Sequence, residues 1–97
     1  MRFEFDWDPV KAASNLGKHD VSFDEAMSVF LDPLALSQLD SDGAPTEERW
    51  VTMGISRNTR LLLVIHTHAE QSVGVTKIRI ISARKPTKAE VRQYENE

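Results

Sequence analysis

Arg60-Leu61-Leu62-Leu63-Val64-Ile65-His66-Thr67 is the stretch from which the fold can be read. Residues 61–65 are apolar without a break, so neither side of an extended chain suits water there. The segment therefore reads as a central strand of a sheet covered on both faces, and it is far too short to cross a bilayer. Working outward, 48–56 and 73–83 read as neighbouring strands. They join the central one through a hairpin turn at Ser56-Arg57-Asn58-Thr59 and a second turn over 69–72. Leu34-Ala35-Leu36-Ser37 adds a short strand, and Asp40-Ser41-Asp42-Gly43-Ala44-Pro45 is a polar loop that follows it.

The N-terminal end supplies the helices. Residues 2–6 alternate, with Phe3, Phe5 and Trp7 on one side and Arg2, Glu4 and Asp6 on the other, as in a strand covered on one face. Asp8-Pro9 is a helix start, an acid at the cap followed by proline at the first helical position. This helix should end near 17–20 and turn Val10, Ala13 and Leu16 to the core. Ser22-Phe23-Asp24-Glu25 has the capping-box pattern and opens a second helix. Phe23, Ala26, Met27 and Phe30 form its core-facing stripe, and Asp32-Pro33 stops it. A last capping box in Pro86-Thr87-Lys88-Ala89-Glu90 opens a short helix to about Glu95. The order β-α-α-β-β-β-β-α makes an α+β fold, with two helices from the N-terminal half packed on a mainly antiparallel sheet.

The 97 residues suffice for one domain, 1–97, and leave no room for a second core. The absence of cysteine excludes disulfide scaffolds, iron–sulfur clusters, Cys-ligated zinc and thiol nucleophiles. Met1-Arg2-Phe3-Glu4-Phe5-Asp6 is charged and alternating, unlike a signal peptide, so a soluble cytoplasmic protein without a membrane partner is expected. The net charge of −3 conceals an asymmetry. Residues 1–50 hold four Lys/Arg against eleven Asp/Glu, and residues 51–97 hold eight against four. Overall charge argues against nucleic-acid binding, but one cationic groove on the C-terminal half is compatible with it.

Several residues could carry chemistry. Lys11, Asn15 and Lys18 stand at i, i+4, i+7 of the first helix with His19 just beyond. This is either a solvated polar face or a cluster of donors containing one group that titrates near neutrality. In the last strand Arg79 sits between isoleucines, where a guanidinium needs an acid such as Glu4 or Asp6, or lines a cleft. Arg84, with Lys88 and Arg92 at i and i+4 of the final helix, suits phosphate recognition. Tyr94 could pack or stack on a base. His66 and His68 share a strand face but lack a third ligand, so no metal or other cofactor is expected.

The run Phe3-Glu4-Phe5-Asp6-Trp7-Asp8-Pro9-Val10-Lys11-Ala12-Ala13-Ser14-Asn15-Leu16-Gly17-Lys18-His19 resembles the opening signature of the BrnT family of toxins. Val21-Ser22-Phe23-Asp24-Glu25-Ala26 and Ile78-Arg79-Ile80-Ile81-Ser82-Ala83-Arg84-Lys85, with Glu90 and Tyr94, extend the likeness over almost the whole chain. Asp20 departs from it, standing where the family typically has glycine, although Asp tolerates left-handed backbone. The resemblance implies a RelE-like fold and a metal-independent endoribonuclease toxin of a type II toxin–antitoxin system, which inhibits translation and growth. It also implies a DNA-binding, BrnA-like antitoxin that reaches operator DNA, and a hetero-oligomer built on an antitoxin dimer. Metal-free RNA cleavage needs a base for the 2′-hydroxyl proton, cations for the phosphorane and an acid for the leaving oxygen. On that basis His19 is the candidate for proton transfer, and Lys11, Arg79 and Arg84 complete the catalytic set. Lys18, Asn15, Lys88, Arg92 and Tyr94 are the candidate RNA contacts. The competing reading is a non-catalytic antitoxin-binding module acting as co-repressor of its operon.

Overall fold

The computed structural model describes residues 2–40 and 48–96. The chain runs through β1 (Arg2–Asp6), α1 (Pro9–His19), α2 (Phe23–Met27), a single 3-10 turn (Ser28–Leu31), β2 (Leu36–Leu39), β3 (Trp50–Ile55), β4 (Leu61–His66), β5 (Ala69–Ser72), β6 (Val75–Arg84) and α3 (Lys88–Glu95). The sheet order is β1-β6-β4-β3-β2, with β5 continuing beside β6. Only the β1–β6 pair is parallel among these strands, from Arg2 opposite Val75 to Asp6 opposite Arg79. Strand β4, apolar from Leu61 to Ile65, lies in the middle, with Leu62, Leu63 and Val64 buried, as a run without a polar face must. No helix among the described residues is long and apolar enough to cross a membrane.

Two expectations about the strands need correction, and one about α1. The second strand starts at Leu36 because Asp32-Pro33-Leu34-Ala35 is a turn, in which Asp32 Oδ1 accepts from the Leu34 N–H and the Asp32 carbonyl from the Ala35 N–H. Residues 69–72 form β5, not a turn, and the chain reverses at Val73-Gly74, where Gly74 has φ +79°. The polar loop expected at Asp40-Ser41-Asp42-Gly43-Ala44-Pro45 lies, from Ser41 onward, outside the described residues. The helix α1 is also turned differently from expectation. Val10 is 76% exposed, Leu16 49% exposed, and Ala13 faces solvent, while Ala12 and Asn15 point inward.

The cause of that rotation is the backbone of β6. β1 ends at Asp6, so beyond Arg79 the β6 edge on that side has no strand partner. Asn15 fills the gap. Its amide nitrogen donates to the Ala83 carbonyl (2.8 Å) and the Val21 carbonyl (3.0 Å), and its oxygen accepts from the Ala83 N–H (3.1 Å) and Ser82 Oγ (3.2 Å). A carboxamide carries the same donor–acceptor pair as a peptide group, so one side chain continues the ladder where the strand stops.

α1 and α2 cover one face of the sheet. Val21, Phe23, Ala26 and Val29 pack on Leu62, Val64, Ile78, Ile80 and Ala83, and Phe3, Phe5, Trp7, Met27 and Phe30 close the edges. The buried His66 belongs to this layer. Its Nδ1 donates to the Thr67 carbonyl (2.8 Å), and its Nε2 therefore accepts from Thr52 Oγ1 (2.7 Å), with the Phe30 ring edge-on at 4.9 Å. The second anchor joins α2 to the start of β4. The buried Glu25 carboxylate receives Ser56 Oγ (2.6 Å) and Arg60 Nε (3.0 Å), and a second bond from Arg60 completes a bidentate pair. That pairing holds Glu25 down at about pKa 2.

Replacing Asn15 with Asp removes both amide donors and places a carboxylate against two carbonyls. A loss of roughly 2–4 kcal/mol is expected from stranding these buried groups. Thermal melting followed by circular dichroism should show a fall of more than about 8 °C, given the usual sensitivity of a domain of this size. An unchanged melting temperature would remove Asn15 from its ladder role.

Burial pushes the His66 imidazole down to about 4, against the opposing pull of its bond to the Thr67 carbonyl. Unfolded, the ring titrates near 6.5, so between those values the unfolded chain binds the extra proton. Stability from this group is full above about pH 6.5, falls as pH drops, and is gone below about pH 4, a difference of roughly 3 kcal/mol. Urea unfolding from pH 7.5 to 4.5 should show this slope, and His66→Gln should flatten it. Glu25 and Glu90, both near 2, contribute their losses only at lower pH. A slope that survives the His66 substitution intact would assign it elsewhere.

Candidate active site

The α1 helix begins with the Asp8 carboxylate accepting from the Val10 N–H (2.9 Å) and ends at Asp20, whose φ of 56° is left-handed. The aspartate that replaces glycine is thus accommodated by the geometry such a residue tolerates. Lys18 and His19 occupy the last turn, where positive charge suits the helix dipole. The end of the helix is fixed from outside as well, since Arg60 donates to the Asp20 carbonyl (2.9 Å) while held by Glu25.

Lys11, Asn15, Lys18 and His19 come together, as their spacing implied, around an open depression of about 180 Å³ that Ser14, Ile81 and Ser82 complete. Neither lysine has an acidic partner among the described residues. The members are not equivalent. Asn15 contributes its position, because its amide is fully engaged with Val21, Ser82 and Ala83. Ser82 is the residue that sequence reasoning passed over. No serine-hydrolase pattern surrounds it, and only the side-chain register of β6 could have brought it to this surface.

That register depends on a bulge. Ile65 lies opposite Ser82 but His66 lies opposite Ile80, so Ile81 is an extra residue in β6. Strict alternation from Arg79 would place Arg84 on the opposite face. With Ile81 inserted, Arg79, Ser82 and Arg84 share one face, while Ile80 and Ala83 are both buried on the other. Arg79 is exposed and bonds Asp6 Oδ1 (3.2 Å), with Lys77 on Asp6 Oδ2 (3.3 Å). A single carboxylate thus faces two cations, and as an exposed pair it is only weakly held. Arg84 is held more firmly. Both of its terminal nitrogens reach Glu90 (2.9 and 3.1 Å), which lowers the Glu90 carboxyl to about 2 and raises the guanidinium further.

Neither Arg79 nor Arg84 lines the depression, and the remaining candidates do not line it either. Lys88 and Arg92 stand with Pro86 and Val91 around a separate hollow on α3. Tyr94 donates to Asp32 Oδ2 (3.0 Å), which also accepts from the Ile55 N–H (2.8 Å) and stays well ionised through these bonds. Gly54 permits this arrangement, since a Cβ there would come within 3.1 Å of the same oxygen and 3.0 Å of Val29 and Ala35. His66 is internal, and His68, outside β4, lies against Trp50 with ring centres 5.8 Å apart. Among the described residues, no three His, Cys, Asp or Glu side chains gather as a metal site.

The geometry can be set against known proteins. The chain is similar to the crystal structure of the ribonuclease toxin BrnT from Brucella abortus, with a TM-score of 0.59 at 20% identity, over 91% of this chain and 99% of that one. At that identity the likeness concerns the fold, an α+β arrangement of helices on a mainly antiparallel sheet. No curated protein matches the sequence. The family described as "Ribonuclease toxin, BrnT, of type II toxin-antitoxin system" matches residues 7–90, a span that takes in the depression on α1 and the bulged strand beside it. The chain belongs to the BrnT family of ribonuclease toxins of type II toxin–antitoxin systems, a membership that implies an antitoxin partner.

Proposed function

We propose that this toxin cleaves RNA endonucleolytically without a metal, using the depression on α1. The observation that carries the reading is an imidazole gathered around one open depression with two ammonium groups that no acid among the described residues neutralises, beside Ser82. His19 takes the proton of a ribose 2′-hydroxyl, the 2′-oxygen bonds to phosphorus, and the P–O5′ bond breaks. The products are a cyclic phosphate and a 5′-hydroxyl, whose proton comes back from the imidazolium or from water. Lys11 and Arg79 stabilise the pentavalent phosphorus, because their charges match the one that builds up there. Arg84 joins them once the phosphate displaces Glu90, so its share is smaller.

Lys18 holds the adjoining phosphates, and Asn15 keeps α1 in place beneath them. Lys88 and Arg92 give the strand a second foothold on α3, with the Tyr94 ring available for stacking. The chain works in the cytoplasm, where cleavage of RNA inhibits translation and growth. It is neutralised by a BrnA-like antitoxin in a hetero-oligomer built on an antitoxin dimer, and it meets operator DNA only through that partner.

RNA digestion by the purified protein tests the assignment. His19→Ala should lower the cleavage rate about 10²–10⁴-fold, the range for loss of a single proton-transfer group. Arg79→Lys should also reduce cleavage, because a point charge cannot reproduce a bidentate grip on phosphate, and by more than Arg84→Lys. Cleavage should persist in excess chelator. A folded His19→Ala variant with full activity would transfer the role to Lys11, and activity abolished by chelator would overturn the metal-free mechanism.

A further inference from the structure

We propose that the outward side of α1 is the seat of an acidic, amphipathic segment of the antitoxin, which silences the toxin by covering its active site. The inference rests on the assignment of that site to the depression around Lys11, Lys18 and His19. At about 100° per residue, Leu16, Ala13, Gly17 and Val10 form a continuous band along the helix, bordered on one side by Ser14 and then Lys18 and Lys11. The band is bare. Val10 is 76% and Leu16 49% exposed, and nothing lies within 4 Å of where a side chain on Gly17 would begin.

RNA explains the lysines but not the band. Phosphates and sugars offer no aliphatic surface to Val10 and Leu16, and the band contains no aromatic ring on which a base could stack. A peptide helix with a ridge of leucine-like residues flanked by carboxylates satisfies both features together. Another exposed apolar patch, around Leu31 at 80% and Leu34 at 72%, lacks this charge pattern. The cation near Leu31, Arg57, already bonds Asp24 at 2.6 Å. A helix of 11 residues is about 16 Å long, too small to supply the roughly 800 Å² per partner of a stable complex. α1 is therefore the anchor of a larger interface, and Val10 and Leu16 are its central contacts. Because the border lysines belong to both surfaces, antitoxin and RNA exclude each other.

The test uses the full chain and its purified cognate antitoxin, comparing Val10→Gln/Leu16→Gln with Leu31→Gln/Leu34→Gln. The first pair should cleave RNA at the parent rate, bind antitoxin roughly 30-fold more weakly or worse, and escape inhibition in the digestion assay. The second pair should stay inhibited. Hydrogen exchange on the unmodified protein should show the α1 amides slowed by antitoxin. An oligonucleotide blocked by 2′-deoxyribose at the scissile position should compete with antitoxin. Unchanged affinity of the first pair, escape of the second pair alone, unprotected α1 amides or a stable ternary complex would each overturn the proposal. A parent protein that binds antitoxin through α1 yet cleaves no RNA would instead refute the ribonuclease assignment of the depression.

Discussion

The unpaired edge of β6 is the constraint around which the rest is arranged. A strand inside a sheet cannot leave buried N–H and C=O groups without partners, yet β1 stops at Asp6 because Asp8-Pro9 must start a helix. The chain resolves the conflict with one side chain. Asn15 lies two turns into α1 and supplies the donor and acceptor that a longer β1 would have provided. Its placement then fixes the rotation of the helix. With Asn15 and Ala12 inward, Lys11 and Lys18 border the depression beside β6, and Val10, Ala13 and Leu16 are left outside. A structural requirement of the sheet thus sets which face of α1 is available for chemistry.

Once α1 is oriented, its far end must be held, and here the second anchor matters. The Glu25–Arg60 pair is buried on the acid side and satisfied by Ser56 as well, the condition under which such a pair tolerates burial. Arg60 has a further donor that reaches the Asp20 carbonyl, one residue past His19. The link from α2 through β4 to the end of α1 therefore limits how far the His19 backbone can drift from Ser82. The proton transfer proposed for His19 would need close positioning, and the ties through Asn15 and Arg60 hold the helix on both sides of it.

Much of this was legible in the chain and some was not, for identifiable reasons. The two-sided apolar run 61–65 marked the central strand, and Asp8-Pro9, Ser22 and Thr87 marked helix starts that the structure retains. These are local signals, and local physics decides them. The rotation of α1 was misread because Val10, Ala13 and Leu16 look like a core stripe only if an asparagine cannot belong to the core. Asn15 can, since it meets backbone groups from distant parts of the chain, and periodicity carries no information about those. Ser82 and the common face of Arg79 and Arg84 were hidden for a related reason. A bulge changes side-chain parity through a pairing with β4 that residues 75–84 alone do not specify. His66 and His68 looked alike as a pair, yet one ends inside the aromatic layer and the other outside the strand.

Charge shows the same dependence on distant pairing. Counted by halves, the cations accumulate after residue 50, and a basic groove would be sought there. In the fold, acids from the first half neutralise many of those cations: Glu25 takes Arg60, Asp24 takes Arg57, and Asp6 serves both Lys77 and Arg79. Glu90 takes Arg84 within the second half. Lys11 and Lys18, which come from the acidic half, retain no such partner among the described residues. An acidic protein can therefore present a cationic site without a basic domain. What matters to a phosphate is the charge left over after internal pairing. Lys85, Lys88 and Arg92 hold part of that remainder at and after the end of β6, and Lys11 and Lys18 hold the part on α1, where the sheet edge obliges the helix to show it.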